Sequence, residues 1–216
     1  MDRSPTTIRD TYDRIAAHFA KTREYAWPEV ESFVEDAAIP ADARGLDLGC
    51  GNCRHAELLT SRCARVVGAD ISRGLLETAR RRADERGFSV ALVQSDASML
   101  PFGDDSFDIV VYVATLHHLP TRDARRASLD ELARVLAPGG RALVSAWSTA
   151  HDSFDRDEAF DTEVDWTLPG GVTVPRFYHI YSPDEFAADL DASDLSVVEN
   201  RISSGNCYAS VTVAEQ

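Results

Sequence analysis

Residues 45–53, Gly-Leu-Asp-Leu-Gly-Cys-Gly-Asn-Cys, carry a short apolar strand into a glycine-rich turn and then into a helix. Gly49 and Gly51 permit positive φ and close backbone approach, and a helix from about Arg54 to Ser61 aims its free N–H groups at an anion. The stretch reads as a nucleotide-cofactor loop. A G-x-G also occurs in purely structural turns, so its meaning rests on what surrounds it.

What surrounds it is an alternation of strands and helices, the pattern of a doubly wound parallel sheet. Strands are predicted over Arg65–Asp70, Ser89–Gln94, Phe107–Val113 and Arg141–Trp147. The Phe107–Val113 run is apolar on both faces and so central. Helices are predicted from Arg73 to about Glu85, with Leu75, Leu76 and Ala79 inward, and over Thr121–Leu136, which Pro138-Gly139-Gly140 ends. Before the sheet, Tyr12, Ile15, Ala16 and Phe19 recur at helical spacing, and a second helix follows Trp27-Pro28. Ser148–Tyr181, roughly thirty residues with strong turn signals, is too long for a plain connection and reads as a substrate-side insertion. A short helix capped by Ser182 and strands over Ser193–Ile202 and Asn206–Val213 close the chain. The expected organisation is one α/β domain over 1–216, with N-terminal helices in 1–42 as a cap and an insertion at 148–181.

Composition bounds the setting. The 216 residues carry a net charge of −14, and Lys21 is the single lysine beside an otherwise all-arginine cation set. That balance reads as adaptation to high salt, where a Debye length of about 3 Å at 1 M leaves local arginine clusters more important than net charge. No apolar run is long enough to cross a membrane and the N-terminus is polar, so a cytoplasmic, membrane-free location is expected. Cys50-x-x-Cys53 has no second pair to complete a tetrahedral site, so no metal is expected. The four cysteines read as small apolar fillers.

Carboxylates fall at the ends of successive strands, where open α/β sheets bind their ligands. Asp47 precedes the glycines, Asp70 is placed to accept ribose hydroxyls, and Asp96 is placed to accept from an adenine amino group. A dinucleotide dehydrogenase wants a third glycine near position 54, where Arg54 stands.

With these residues in view the chain resembles the class I S-adenosylmethionine-dependent methyltransferases. The matching pieces are Asp47-Leu-Gly49-Cys-Gly51, Gly68-Ala-Asp70-Ile-Ser72, Asp96-Ala97, Leu100-Pro101-Phe102, Phe107-Asp108 and Leu136-Ala-Pro138-Gly139-Gly140. The resemblance implies a Rossmann-like seven-stranded sheet whose last strand is antiparallel. It also implies S-adenosylmethionine as cofactor, held by Asp47, Gly49, Gly51, Asp70, Ile71, Asp96, Ala97 and Val113.

A narrower resemblance lies outside that core. Tyr12-Asp13-x-Ile15-Ala16-x-x-Phe19, Thr22-Arg23-x-x-x-Trp27-Pro28, Leu116-His117-His118-Leu119-x-Thr121, Arg125-Arg126, Trp147, Val174-Pro175-Arg176-x-Tyr178-His179 and Asn206-x-Tyr208 are similar to the tRNA methyltransferases that esterify 5-carboxymethyluridine at the wobble position. It implies a tRNA anticodon loop as substrate and a small zinc-containing activator subunit, hence a heterodimer. Cys53 stands where that family usually has glycine, and Arg176 and Cys207 where it usually has tryptophan. A carboxylate acceptor with a pKa near ~4 is already ionised and needs no general base. Arg23, Arg126 and Arg176 are the candidates to hold it by bidentate forks, and His117 and His179 join them at the site. Were the acceptor a hydroxyl, a histidine would serve as base. A small-molecule O- or C-methyltransferase and a non-catalytic cofactor-binding module therefore stay open.

Overall fold

The computed structural model describes residues 4–213. Two helices come first: α1 (Pro5–Lys21), capped by Ser4, and α2 (Pro28–Asp36), with Pro28 in its first turn. The sheet then begins with β1 (Arg44–Leu48), followed by α3 (Arg54–Leu59), β2 (Arg65–Asp70), α4 (Arg73–Arg86), β3 (Ala91–Gln94) and β4 (Phe107–Val113). A 3-10 turn at Leu116–His118 leads into α5 (Arg122–Val135) and β5 (Leu136–Trp147). A hairpin of β6 (Phe160–Thr167) and β7 (Thr173–Ile180), then α6 (Pro183–Asp191), β8 (Ser196–Ser203) and β9 (Asn206–Thr212), complete the chain.

Seven strands form one sheet in the order β3-β2-β1-β4-β5-β9-β8. The β1 to β5 ladders are parallel, and β9 runs antiparallel to both β5 and β8. Along β4 the two periods of the core separate. Val110 and Tyr112 pack with Leu129 and Leu132 of α5 and with Phe186 and Leu190 of α6. Ile109, Val111 and Val113 pack with Val30 and Val34 of α2, Leu59 of α3 and Ala79 of α4. Both faces of β4 are thus buried, as a central strand requires.

Several boundaries differ from the sequence reading. The helix after the glycine turn ends at Leu59 and the third strand starts at Ala91. β5 starts at Leu136, because Leu136 already pairs with Phe107 of β4, and the proline–glycine segment bulges out of the ladder before pairing resumes at Arg141. The 148–181 segment holds a two-stranded antiparallel sheet from Phe160↔Ile180 to Thr167↔Thr173. No helix among the described residues is long and apolar enough to cross a membrane.

One side chain ties the cap directly to α4. Asp13 Oδ1 on α1 accepts from Ser72 Oγ at 2.6 Å and from Gly74 N at 2.8 Å, at the free N-terminus of α4. A carboxylate is favoured there by both orphan N–H groups and helix dipole. Asp13→Ala is expected to lower the unfolding free energy by about 1–3 kcal/mol, measured by urea denaturation, and to weaken ligand binding in the cavity that α1 covers.

Candidate active site

Beneath α1, at the carboxyl ends of β1, β2, β3 and β4, lies a cavity of about 310 Å³. Gly49 and Gly51 of the turn, Asp70 at the end of β2 with Ile71 beyond it, and Asp96 and Ala97 after β3 line it. Opposite them stand Tyr12 and Phe19 of α1 and His118 of the 3-10 turn. Six of the eight residues expected to bind the cofactor are therefore brought together. The other two, Asp47 and Val113, are buried in the strands behind.

Local chemistry explains the turn. Gly49 has φ +72°, and a Cβ there would overlap the Thr115 side chain, so the close approach of β1 to the end of β4 demands glycine. Gly51 has φ +55°, and a Cβ on it would meet nothing within 4 Å, so its open side faces free space at the cavity. Cys53 also has positive φ, at 62°, without being glycine. Its side chain is fully buried, and its sulfur fills the space beside Gly68. Packing thus offsets a conformation that L side chains rarely adopt. Cys53's thiol and burial together raise Cys50 well above the ordinary thiol range. All four cysteines are free, and among the described residues no group of His, Cys, Asp or Glu is arranged to hold a metal ion.

Asp70 ties the turn to the next helix. Its Oδ2 accepts from Gly51 N at 2.9 Å and its Oδ1 from Ser72 N at 2.8 Å. Burial pushes its carboxyl up to about 6, against the pull of those amides. Asp47 acts in a parallel way on α3. Its Oδ2 accepts from Ala56 N at 2.9 Å, anchoring that helix, and burial raises its carboxyl to about 7. It supports the turn from behind instead of meeting the cavity. Asp96 Oδ1 accepts from Ser98 N and Ser98 Oγ, which fixes the loop after β3.

The acceptor-side candidates separate. Arg176 on β7 is 5% exposed, and its Nε has no hydrogen-bond partner. Its guanidinium lies 5.0 Å from the Trp166 ring and 5.1 Å from the Tyr178 ring. Arg23 lies 4.5 Å from the Phe19 ring and 5.7 Å from the same Trp166 ring. The two cations thus share one aromatic wall next to Tyr12 and His118. His118, not His117, lines the cavity. Its Nδ1 lies 3.0 Å from Phe177 O and its Nε2 lies 2.9 Å from Tyr12 Oη, so the carbonyl fixes the proton on Nδ1 and Nε2 accepts from the phenol. Burial brings His118 down to about 3. His117 sits behind it, accepting from Trp147 N on Nδ1 and stacked on Tyr178, and burial holds it well below the usual histidine range.

The remaining two candidates are engaged elsewhere. Arg126 and Arg122 both reach Asp189 Oδ1, at 2.9 and 2.8 Å, so the arginines at the start of α5 are answered by carboxylates of α6 instead of an approaching anion. His179 places Nδ1 2.8 Å from Asp161 and Nε2 3.0 Å from Glu185, which locks the hairpin to α6. Neither lines the cavity. Sequence reasoning missed Trp166 and gave Tyr12 only a helical packing role. The strict alternation of Phe160, Thr162, Val164 and Trp166 with Asp161, Glu163 and Asp165 was the signal for a half-buried strand carrying that tryptophan.

Residues 46–144 match the model of a methyltransferase domain family. Over 92% of its length the chain is 32% identical to a putative methyltransferase of Encephalitozoon cuniculi, covering 91% of that protein. The chain belongs to the methyltransferases. It is also 34% identical over 145 residues, 67% of its length, to a tRNA (carboxymethyluridine(34)-5-O)-methyltransferase of Arabidopsis thaliana, of which it covers 33%. The chain spans between a fifth and a third of the length of the first curated relatives it matches. Among solved structures, an S-adenosylmethionine-dependent methyltransferase from Clostridium acetobutylicum superposes with a TM-score of 0.74 at 15% identity, over 94% of this chain and 99% of that one. A putative methyltransferase in complex with the Haloferax volcanii Trm112 methyltransferase activator gives 0.72 at 17% identity, over 97% and 98%. Both show the shared fold.

The residues lining the cavity fit S-adenosylmethionine. Gly51 opens on free space, the remaining lone pairs of Asp70 would accept from ribose hydroxyls, and Asp96 with Ala97 would meet the base.

The Asp70 carboxyl yields a test with a definite sign. Its folded pKa lies above the unfolded value, so its contribution to the stability of the free methyltransferase is present at low pH and lost as pH rises through about 6. A ligand hydroxyl donating to the ionised form reverses that sign for binding. Affinity for S-adenosylmethionine, measured by calorimetry, is expected to weaken about tenfold per pH unit below that pKa. It should be flat above pH 7, and Asp70→Asn should remove the pH dependence.

Proposed function

We propose that this methyltransferase esterifies the carboxylate of 5-carboxymethyluridine at the wobble position of tRNA. In this reading residues 1–42 cap a single domain, 148–181 form its acceptor side, and a small zinc-containing activator subunit completes a cytoplasmic heterodimer. The observation that carries it is the buried Arg176 guanidinium, with an unpartnered Nε, set beside Arg23 just beyond the Tyr12–His118 wall of the cavity. A buried cation without a counter-charge is costly to hold and is answered by an anion. Similarity to the tRNA (carboxymethyluridine(34)-5-O)-methyltransferase of Arabidopsis thaliana supports the substrate, and likeness to the methyltransferase of the Haloferax volcanii Trm112 complex supports the activator. One lysine and a net charge of −14 support a halophilic setting.

S-adenosylmethionine supplies an electrophilic methyl group. The residues of this chain supply position. Arg23 and Arg176 hold an oxyanion while the aromatic wall of Phe19, Trp166 and Tyr178 excludes water, and orientation of this kind contributes on the order of 7 kcal/mol or more. His118 is neutral and accepts from Tyr12, so it shapes the pocket without delivering or removing a proton. That suits an acceptor that arrives ionised and argues against base-assisted transfer to a hydroxyl.

The direct assay incubates the protein and activator with labelled cofactor and tRNA lacking the ester. Label is expected in tRNA as an alkali-labile ester. Label entering small molecules instead would sink the proposal. Arg176→Ala is expected to lower kcat/KM for tRNA on the order of 10²-fold with cofactor affinity unchanged. With the cofactor saturating at every pH, so that Asp70 does not limit binding, the wild-type rate should show no inflection near pH 6.5, since neither His117 nor His118 titrates there.

A further inference from the structure

The glycine turn and the acceptor arginines are joined by a side chain that neither set of contacts includes. Asn52 stands between Gly51, which lines the cavity, and Cys53, and it is 6% exposed. Its Nδ2 donates to Arg23 O at 2.8 Å and to Ala20 O at 3.2 Å. The same segment is held at two more carbonyls: Arg82 donates to Glu24 O at 2.7 Å and Arg54 to Tyr25 O at 3.2 Å. Every one of these donors lies in the turn or on the helices that follow it, α3 and α4. Residues 20–25 therefore form a strap laid over the cofactor turn, and the strap carries Arg23 to the aromatic wall it shares with Arg176.

We propose that Asn52 is a positioning residue that transmits cofactor occupancy of the glycine turn to Arg23, so that cofactor and anionic acceptor bind synergistically. The proposal rests on reading Arg23 and Arg176 as the seat of the acceptor carboxylate. Its physical basis is the backbone of the turn. Gly51 and Cys53 both have positive φ, so Asn52 is flanked by two residues outside the broad wells that L residues prefer. A ligand seated against Gly51 selects one arrangement of this turn, and with it one orientation of the Asn52 amide. That amide fixes the carbonyl of Arg23 itself, at the root of a long side chain whose tip must be placed to within about an ångström. A ligand that favours one state of a shared element couples the two sites reciprocally.

Hydrogen exchange and acceptor binding test this separately. S-adenosylhomocysteine is added to the wild-type protein without tRNA, and exchange of the amides of residues 19–27 is followed. Ligand is expected to slow exchange about fivefold or more in the wild type. It should have little effect in Asn52→Asp, which turns an acceptor toward two carbonyls, or in Asn52→Ala. In the second arm, S-adenosylhomocysteine is expected to tighten tRNA binding about fivefold or more in the wild type and not in Asn52→Asp. Arg23→Ala should abolish the same tightening, and the double variant should be no worse than Arg23→Ala alone. Equal protection in the Asn52 variants, absence of ligand-dependent protection in the wild type, or additive losses in the double variant would overturn the proposal. Should both Asn52 variants prove unstable, Arg82→Ala must reduce ligand-dependent protection at 22–25 with cofactor affinity unchanged, or the proposal fails. Protection lost in the variants while wild type methylates no tRNA would keep the coupling and remove the acceptor reading. Methylation of tRNA with unaltered protection would do the reverse.

Discussion

The Asp70 carboxylate, buried at the end of β2, receives the amides of Gly51 and Ser72. Through those two bonds one side chain sets both the open turn after β1 and the start of α4. Asp13 of the cap then fastens onto the same helix start through Ser72 Oγ and Gly74 N. Without Asp70 the turn would lose its fixed amide, the α4 N-terminus its neighbour, and α1 the surface it closes against. The cost is a carboxyl whose charge is disfavoured by burial and favoured by the backbone donors of Ser72, Gly51 and Ile71.

Asp47 repeats this arrangement one strand away, holding α3 through Ala56 N. Two acids lie within the sheet end, one facing the cavity and one behind it, and their different neighbours give them different roles. The distinction is one of position: side chains alternate across a strand, and only a carboxylate beyond the last strand residue or on the cavity side meets a ligand. Asp96, past the end of β3, satisfies that condition and Asp47 does not.

On the acceptor side, aromatic packing and charge work together. Phe19, Trp166 and Tyr178 flank two arginines that no carboxylate among the described residues neutralises directly. The other arginine group, at α5, is closed off by Asp189 and Glu185. That contrast separates two arginines stacked on aromatic rings from a set used to join α5 to α6. His179 belongs to the second network, between Asp161 and Glu185, and connects the β6–β7 hairpin to α6. The hairpin is thereby held to α6, and on it Arg176 lies over the Trp166 ring.

The sequence by itself determined the doubly wound sheet, the glycine turn and the carboxylates after β2 and β3, because each is a local matter. Strand and helix periods, φ > 0 at glycines and acids at strand ends are written in neighbouring residues. Cys53 was legible as discordant, and the structure supplies the reason it is tolerated: its sulfur fills space beside Gly68. Tertiary structure alone decided which arginines pair with carboxylates, which histidine meets the cavity, and that Trp166 and Arg176 lie together on one hairpin. These outcomes depend on partners far apart in the chain, Arg126 with Asp189, Tyr12 with His118, Asn52 with Arg23. Sequence spacing within one helix or strand carries no information about such distant pairings.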